Sequence, residues 1–429
     1  MGYLFLKRST VLLKSLLEEE TISFIFAGIC IVLIPVYTWY IPPIIIAWVV
    51  LRSAEIIVNK KFLLQTNRRY LWLSILFIVF FFLQLTSLLF SDNLSNGANI
   101  LFRRLSLLAF PVLFMFPGSK IISKGNSLLK LFAGSTVIFI IFCFLNALYK
   151  SISLQNGLFI INTHPPEGYW MSYFLGSYLS VNQHPSYLAM FVSLSVFIAL
   201  ESIFEVGLKK YKRILWCFAC ILLLVSIYLL SSRAGFLAIS IALLFYFLFK
   251  LDYKKRILRK TLLVILLLFV TISIVRTNER ITLFMEQFSD GTFREKIAKD
   301  SRILIWRSSI KIIKNNPVLG VGIGDAGAEL MKEYLIIGDK DLIDSHYNAH
   351  NQFLEILLET GIAGLLVFLM IFGYMIYISL SEKNLIYGLF LLMMFIFFMF
   401  ESVLSRLSGV AYFSLFSFLL IYLKPYNKI

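Results

Sequence analysis

The chain reads as apolar stretches separated by short polar turns. Ile22 to Tyr37 and Pro42 to Leu51 are two short stretches with a Pro-containing turn between them. Tyr70 to Phe90 is a clear span, and the polar run 91–104 leads into another that ends near Phe116. Leu128 to Tyr149, 184–204, Ile214 to Leu230, 233–249 and Thr261 to Val275 follow. Gly361 to Leu380, Asn384 to Phe400 and Gly409 to Leu423 complete the series. A membrane helix needs about 20 mostly apolar residues, so the first two stretches lie near the lower length limit. The pattern predicts an all-α polytopic membrane protein with about 12 transmembrane helices. Met1 to Glu20 mixes Lys7, Arg8 and Lys14 with leucines and reads as a helix on the cytoplasmic surface. No small-residue cleavage site follows the first apolar run, so no cleavable signal is expected.

One long polar interval stands out, Arg276 to Ala349. It ends in His350-Asn351, and Gly361-Ile362-Ala363-Gly364 comes after nine residues. At about 100° per residue, His350 and Gly361 return to within roughly 20° of one helix face, with Gly364 about 40° to the other side. The spacing predicts one helix with an imidazole at its outer end and a flat glycine face below. Such a face lets another helix backbone approach closely.

Of the residues, 59% are hydrophobic and 15% charged, with a formal net charge of +16. A soluble domain averages about a quarter charged. The basic residues lie in short runs between apolar segments, so topology explains them and nucleic acid is not an expected partner. With both termini inside, the inward loops hold the Lys/Arg runs 52–69, 120–130, 209–213 and 250–260. The interval 276–349 has eleven Lys/Arg against eleven Asp/Glu, neutral as a translocated region can be. This orientation predicts that segments 91–104, 150–183, 231–235, 276–350 and 401–408 face outward, away from the cytoplasm. The whole chain reads as one integral membrane domain, 1–429, with 276–350 as its long outward loop. Cys30, Cys143, Cys217 and Cys220 all sit in apolar runs and read as small packed hydrophobes. No phosphate-binding Gly-x-x-x-x-Gly-Lys-Ser/Thr loop occurs, which disfavours a nucleotide-driven transporter.

His350-Asn351 with Gly361-x-x-Gly364 resembles the signature of the O-antigen ligase family, membrane glycosyltransferases that include many O-antigen polymerases. Ser301-Arg302-Ile303-Leu304-Ile305-Trp306, followed by Asn316-Pro317-Val318-Leu319-Gly320-Val321-Gly322-Ile323-Gly324, resembles the start of the same block. The resemblance implies a GT-C-like membrane glycosyltransferase architecture in a bacterial inner membrane, the outward face being the periplasm, with 276–350 as a periplasmic loop capping a cavity. It also implies a glycan donor carried on undecaprenyl diphosphate, with lipid A-core or a second lipid-linked glycan as acceptor and membrane lipids around it. That chemistry needs cations to hold the diphosphate and a base for the acceptor hydroxyl. It also needs an apolar slot for the lipid.

Arg233, after Ser231-Ser232 at the outer end of a span, is costly there unless paired or used, although snorkelling to the interface would also explain it. The resemblance implies that it is the family's periplasmic arginine. Arg302 and Trp306 are four apart and share a helix face, with Asp300 or Ser301 capping the helix and Ile303, Ile310 and Ile313 on the other face. The resemblance makes Arg302 the second phosphate-holding arginine, and guanidinium suits phosphate oxygens. His350, with an ordinary pKa of about 6.5, suits a neutral base. The resemblance implies the same role, with attack opposite the diphosphate and inversion at the anomeric carbon. Asn351 and Trp306 are candidate substrate contacts. His184 either lines the acceptor side or simply opens a helix beside Pro185. His346 and Tyr347 either join the site or pack the loop. Glu401 and Arg406 flank the last outward turn and either pair with each other or reach the site, Arg406 as a third phosphate contact. Arg103-Arg104 is expected to meet lipid headgroups, and the Gly-rich run 320–324 to be a turn needing flexible backbone. No His/Asp/Glu cluster has metal-ligand spacing, so transfer without metal or cofactor is expected. A flippase without chemistry would instead carry charged or broken helices at mid-membrane.

Overall fold

The computed structural model describes residues 20–59, 67–155, 158–165, 172–250 and 301–422. The predicted N-terminal surface helix, the span 261–275 and the first part of the long polar interval lie outside the described residues. The chain is an all-α polytopic membrane protein. Its first helices are α1 (Thr21–Val36), α2 (Ile41–Asn59), α3 (Arg68–Ser87), α4 (Leu94–Arg103), α5 (Ser106–Met115) and α6 (Ser119–Ser151). A two-stranded hairpin, β1 (Ile152–Gln155) with β2 (Leu158–Ile161), breaks the helical run in register Ile152 to Ile161. Then come α7 (Pro185–Ile203), α8 (Lys210–Leu229), α9 (Arg233–Lys250), α10 (Ser301–Asn315), α11 (Ala326–Ile337) and α12 (Lys340–Ser345). The last three are α13 (Gln352–Ser381), α14 (Leu385–Phe400) and α15 (Leu407–Leu419).

Among the described residues, seven helices are long and apolar enough to cross a membrane. The pair α4 and α5, bent by 40°, makes an eighth if it is one broken span, and three apolar helices are shorter. Against the about 12 transmembrane helices expected, the described residues hold seven or eight of full length, and the expected span 261–275 is not among them. Two boundaries also moved. Arg52, expected to open a basic loop, lies within α2 and is buried. Its guanidinium pairs with Glu20 (3.2 Å) and Glu55 (2.9 Å) and donates to the Phe116 carbonyl (2.9 Å). Burial of that charge is tolerable because its donors are satisfied. Lys120 to Lys130, expected as a loop, form the start of α6, which kinks at Lys124.

Helix α7 is the centre of the bundle, with 89% of its apolar window buried. Helices α6, α8, α9 and α14 pack around it. A helix enclosed on all sides must be apolar all round. Its serines fit because their hydroxyls donate back to carbonyls one turn earlier: Ser193 to Ala189 (2.7 Å), Ser195 to Phe191 (2.9 Å) and Ser202 to Ile198 (2.7 Å).

The glycine motif does something other than expected. His350 lies outside the helix, with φ 44°, and Asn351 is the N-cap of α13. At Gly361 the helix breaks, with φ 61° and ψ −158°, a backbone essentially only glycine adopts. The break frees the Leu358 carbonyl and the Ile362 N–H. The loop after α10 takes both: Val321 N–H donates to Leu358 (2.8 Å), and Ile362 N–H donates to the Pro317 carbonyl (2.9 Å). So the close approach is made by a loop, not by a second helix. The Gly-rich run is the turn expected, with Gly320 and Gly322 at positive φ. Through it, the layer α10–α12 is stitched onto α13. That layer keeps a small core of its own, from Ile305, Ile312, Leu330, Tyr334 and Leu342.

Candidate active site

Four chain turns meet at one end of the bundle. The first is the start of α7, where Pro185 occupies the first turn and the His184 ring caps it by accepting from Ser186 N–H (3.3 Å). The second is the start of α9, where Ser232 Oγ accepts from Gly235 N–H (3.1 Å) and fixes Arg233 as the first helical residue. The third is α10, which presents Arg302. The fourth is the pair of turns before α13 and after α14, carrying His350 and Glu401.

Between them lies a cavity of about 450 Å³. Arg233, Arg302, His350, His184 and Glu401 all line it, with Ser177, Ser186, Ser231, Ser232, Ser301, Ile305 and Tyr347. Three residues from well-separated parts of the chain, Arg233, Arg302 and His350, thus share one space. Glu401 is its centre. One carboxylate oxygen lies 3.3 Å from His350 Nδ1, and the other accepts from Ser186 Oγ at 2.9 Å. Arg302 Nη2 lies 3.6 Å from Glu401. Ser186 Oγ is in turn 3.3 Å from Ser232 Oγ. The Tyr347 ring stands edge-on to the His350 ring at 5.3 Å.

The electrostatics are coherent. Burial raises the Glu401 carboxyl's pKa, but the hydrogen bond and charge of His350, with His184 and Arg302, bring it below the usual carboxylate value. An ionised carboxylate only accepts hydrogen bonds, so the proton shared with His350 sits on Nδ1. Burial lowers the pKa of His184. Glu401 opposes this, while Arg406, His350 and Arg302 reinforce it. Its ring is neutral near neutral pH.

The remaining sequence candidates lie around the cavity without lining it. Asn351 is buried and structural in geometry: its Oδ1 accepts from Phe353 and Leu354 N–H, and its Nδ2 donates to the Met399 carbonyl (3.1 Å). Trp306 packs in the small core of α10–α12, its indole N–H buried without a partner among the described residues. His346 ends α12 in a left-handed conformation and is exposed. Arg406 stacks over the Tyr187 ring at 5.6 Å rather than pairing with Glu401. The buried face of α10 is Ile305, Ser308, Ser309 and Ile312. Arg104, expected at lipid headgroups, is fully buried. It holds Glu359 through two bonds (2.6 and 2.7 Å) and donates to the Leu404 carbonyl (2.9 Å). Reasoning from sequence left Ser186 off the site and gave Glu401 two readings, a pair with Arg406 or a reach into the site, of which the second is the one observed. The available signal was a single carboxylate directly after the apolar run ending Phe-Met-Phe.

Residues 218–369 match the O-antigen ligase family. The match encloses Arg233, Arg302 and His350, and all of the segment Ser301 to Gly364 on which the resemblance was drawn. His184 and Glu401 fall outside it, so the cavity joins the matched region to flanking helices. A Rickettsia conorii protein that carries the provisional name polysaccharide ligase is similar to this chain, 26% identical over 210 residues. The alignment covers 45% of this chain and 46% of that protein, so the chain spans about half the length of this curated relative.

Proposed function

We propose that the protein is an O-antigen ligase of the bacterial inner membrane. It moves a glycan from undecaprenyl diphosphate to a sugar hydroxyl of lipid A-core, in the periplasm and without a metal. His350 Nε2 takes the acceptor proton, with the Nδ1 proton held on Glu401. The freed oxygen attacks the anomeric carbon while the bond to the diphosphate breaks on the opposite face, inverting the configuration. Arg233 and Arg302 take up the charge that develops on the leaving diphosphate, and guanidinium geometry suits its oxygens. The observation that carries this reading is the single cavity lined by an imidazole, its carboxylate partner and two guanidinium groups. The orientation is supported by helices α7 and α9, which begin at the cavity and end at Ile203, just before the basic run 209–213, and at Lys250, the basic end expected inside.

Deletion of the gene followed by gel analysis of the lipopolysaccharide tests the reading. Loss of the whole O-chain with lipid-linked polymer accumulating is expected. A core bearing one repeat would make the protein a polymerase instead. In purified enzyme, His350→Ala should abolish transfer while leaving the protein folded. Wild-type transfer should continue in excess EDTA. Complete loss rescued by Mg²⁺ would overturn the metal-independent part.

A further inference from the structure

Glu355 lies in the first turn of α13 and is only 7% exposed. It does not line the cavity. One of its carboxylate oxygens accepts from Ala349 N–H (2.9 Å) and from the Ser402 hydroxyl (3.1 Å). The other lies 3.5 Å from the Ser405 hydroxyl. Ala349 directly precedes His350, and Ser402 directly follows Glu401. A single carboxylate therefore bridges the two turns that carry the imidazole and its partner.

The bridge matters because the His350 turn is strained. Besides the Glu355 bond and the His350 contact with Glu401, only local contacts such as Tyr334 Oη to the Tyr347 carbonyl (3.1 Å) are seen to hold it among the described residues. His350 has φ 44°, the left-handed region, which a non-glycine residue occupies at a cost and keeps only when its surroundings demand it. Its N–H donates to Asn348 Oδ1 (3.1 Å), a bond within the turn. The Glu355 bond to Ala349 ties the turn to the bundle. The Glu401 turn is held by further bonds along the same helix face: Gln352 Oε1 accepts from Leu404 N–H (2.6 Å), and Arg104, gripped by Glu359 one turn below Glu355, donates to the Leu404 carbonyl. Of these three side chains of α13, Glu355 reaches both turns. Removing its carboxylate would leave a buried N–H and a buried hydroxyl without their acceptor.

We infer that Glu355 is a positioning residue that clamps the His350 turn to the Glu401 turn and so sets the distance between imidazole and carboxylate. It touches neither substrate nor reacting atoms. A misplacement of about 1 Å between catalytic groups costs on the order of 100-fold in rate, so a clamp at this point has leverage on catalysis. The catalytic part of the inference rests on the reading of His350 and Glu401 given above, whereas the clamp itself does not.

The test is hydrogen exchange by mass spectrometry on the full-length protein in detergent, comparing wild type with Glu355→Ala, Glu355→Gln and Ser402→Ala. In Glu355→Ala, segments 346–351 and 400–405 should both exchange faster, roughly tenfold or more, while 365–380 is unchanged. Glu355→Gln should show a smaller change, because its amide oxygen still accepts. Ser402→Ala should loosen 400–405 alone. If Glu355→Ala does not fold, the other two variants carry the comparison. Turnover of a synthetic undecaprenyl-diphosphate oligosaccharide then separates positioning from bulk stability. We expect kcat per folded molecule to fall roughly 30-fold in Glu355→Ala, with partial rescue in Glu355→Gln and donor KM within about threefold of wild type. Unchanged exchange at 346–351 in the Glu355 variants overturns the clamp whether or not the wild type transfers glycan. Faster exchange with unchanged kcat overturns its catalytic role. A wild type that does not transfer at all counts against the ligase reading, and the exchange data still decide the clamp.

Discussion

Replacing Glu401 by Gln tests the charge logic of the cavity with the least change in shape. In the resting site the carboxylate shares its charge between His350 at 3.3 Å and Arg302 at 3.6 Å. In the proposed reaction His350 takes a proton, and the new imidazolium faces that charge directly. For unit charges at 3.3 Å and an effective dielectric of about 20 to 40, Coulomb's law gives about 2.5–5 kcal/mol. The His350 side chain is 22% exposed, so solvent screening favours the lower part, about 2.5–3 kcal/mol. At about 1.4 kcal/mol per factor of ten, kcat should fall roughly 60- to 140-fold. Ser186 can still donate to the Gln oxygen, so the packing is kept. The amide could also turn its N–H toward Nδ1, which would move the imidazole proton to Nε2 and deepen the loss. Donor KM should stay within about threefold, because Arg302 keeps its charge and loses a competitor. The assay is initial rates of the purified variant over a range of lipid-linked donor, with the folded fraction measured in parallel. A kcat within threefold of wild type would show that Glu401 does not support His350.

Arg302→Lys keeps the charge but loses the planar fork, and should lower kcat/KM for the diphosphate donor roughly 10- to 100-fold. An unchanged value would remove Arg302 from the phosphate site. Gly361→Ala places a Cβ against the Val318 carbonyl oxygen in a backbone region alanine does not adopt. It should destabilise the protein by about 3 kcal/mol or more, so a wild-type melting temperature in detergent would contradict the break described. Glu401 also predicts an acid limb. Its folded pKa is depressed, so its stabilisation is present above the ordinary carboxylate value and is lost as pH falls through the folded one. Melting temperature should therefore drop more steeply in that window for wild type than for Glu401→Gln, and parallel curves would refute the assignment.

Much of this protein could be read from its order of residues. Hydrophobic length marked the helices because a lipid environment requires each apolar stretch to satisfy its own backbone. Arg233, Arg302 and His350 were legible because each sits at a polar boundary beside recognisable neighbours. Other features needed the folded chain. Arg104 reads as an interfacial cation until Glu359, 255 positions away, arrives to pair with it. Gly361 reads as a packing face, yet its place is decided by the Pro317–Val321 loop that takes up the hydrogen bonds it frees. Glu401 and Ser186, 215 positions apart, become partners only when the start of α7 meets the turn after α14. Local sequence thus determined where helices run and which side chains are costly to bury. Which cost becomes a site was decided only by tertiary contact, because a charge or a freed backbone group takes its meaning from the partner brought to it.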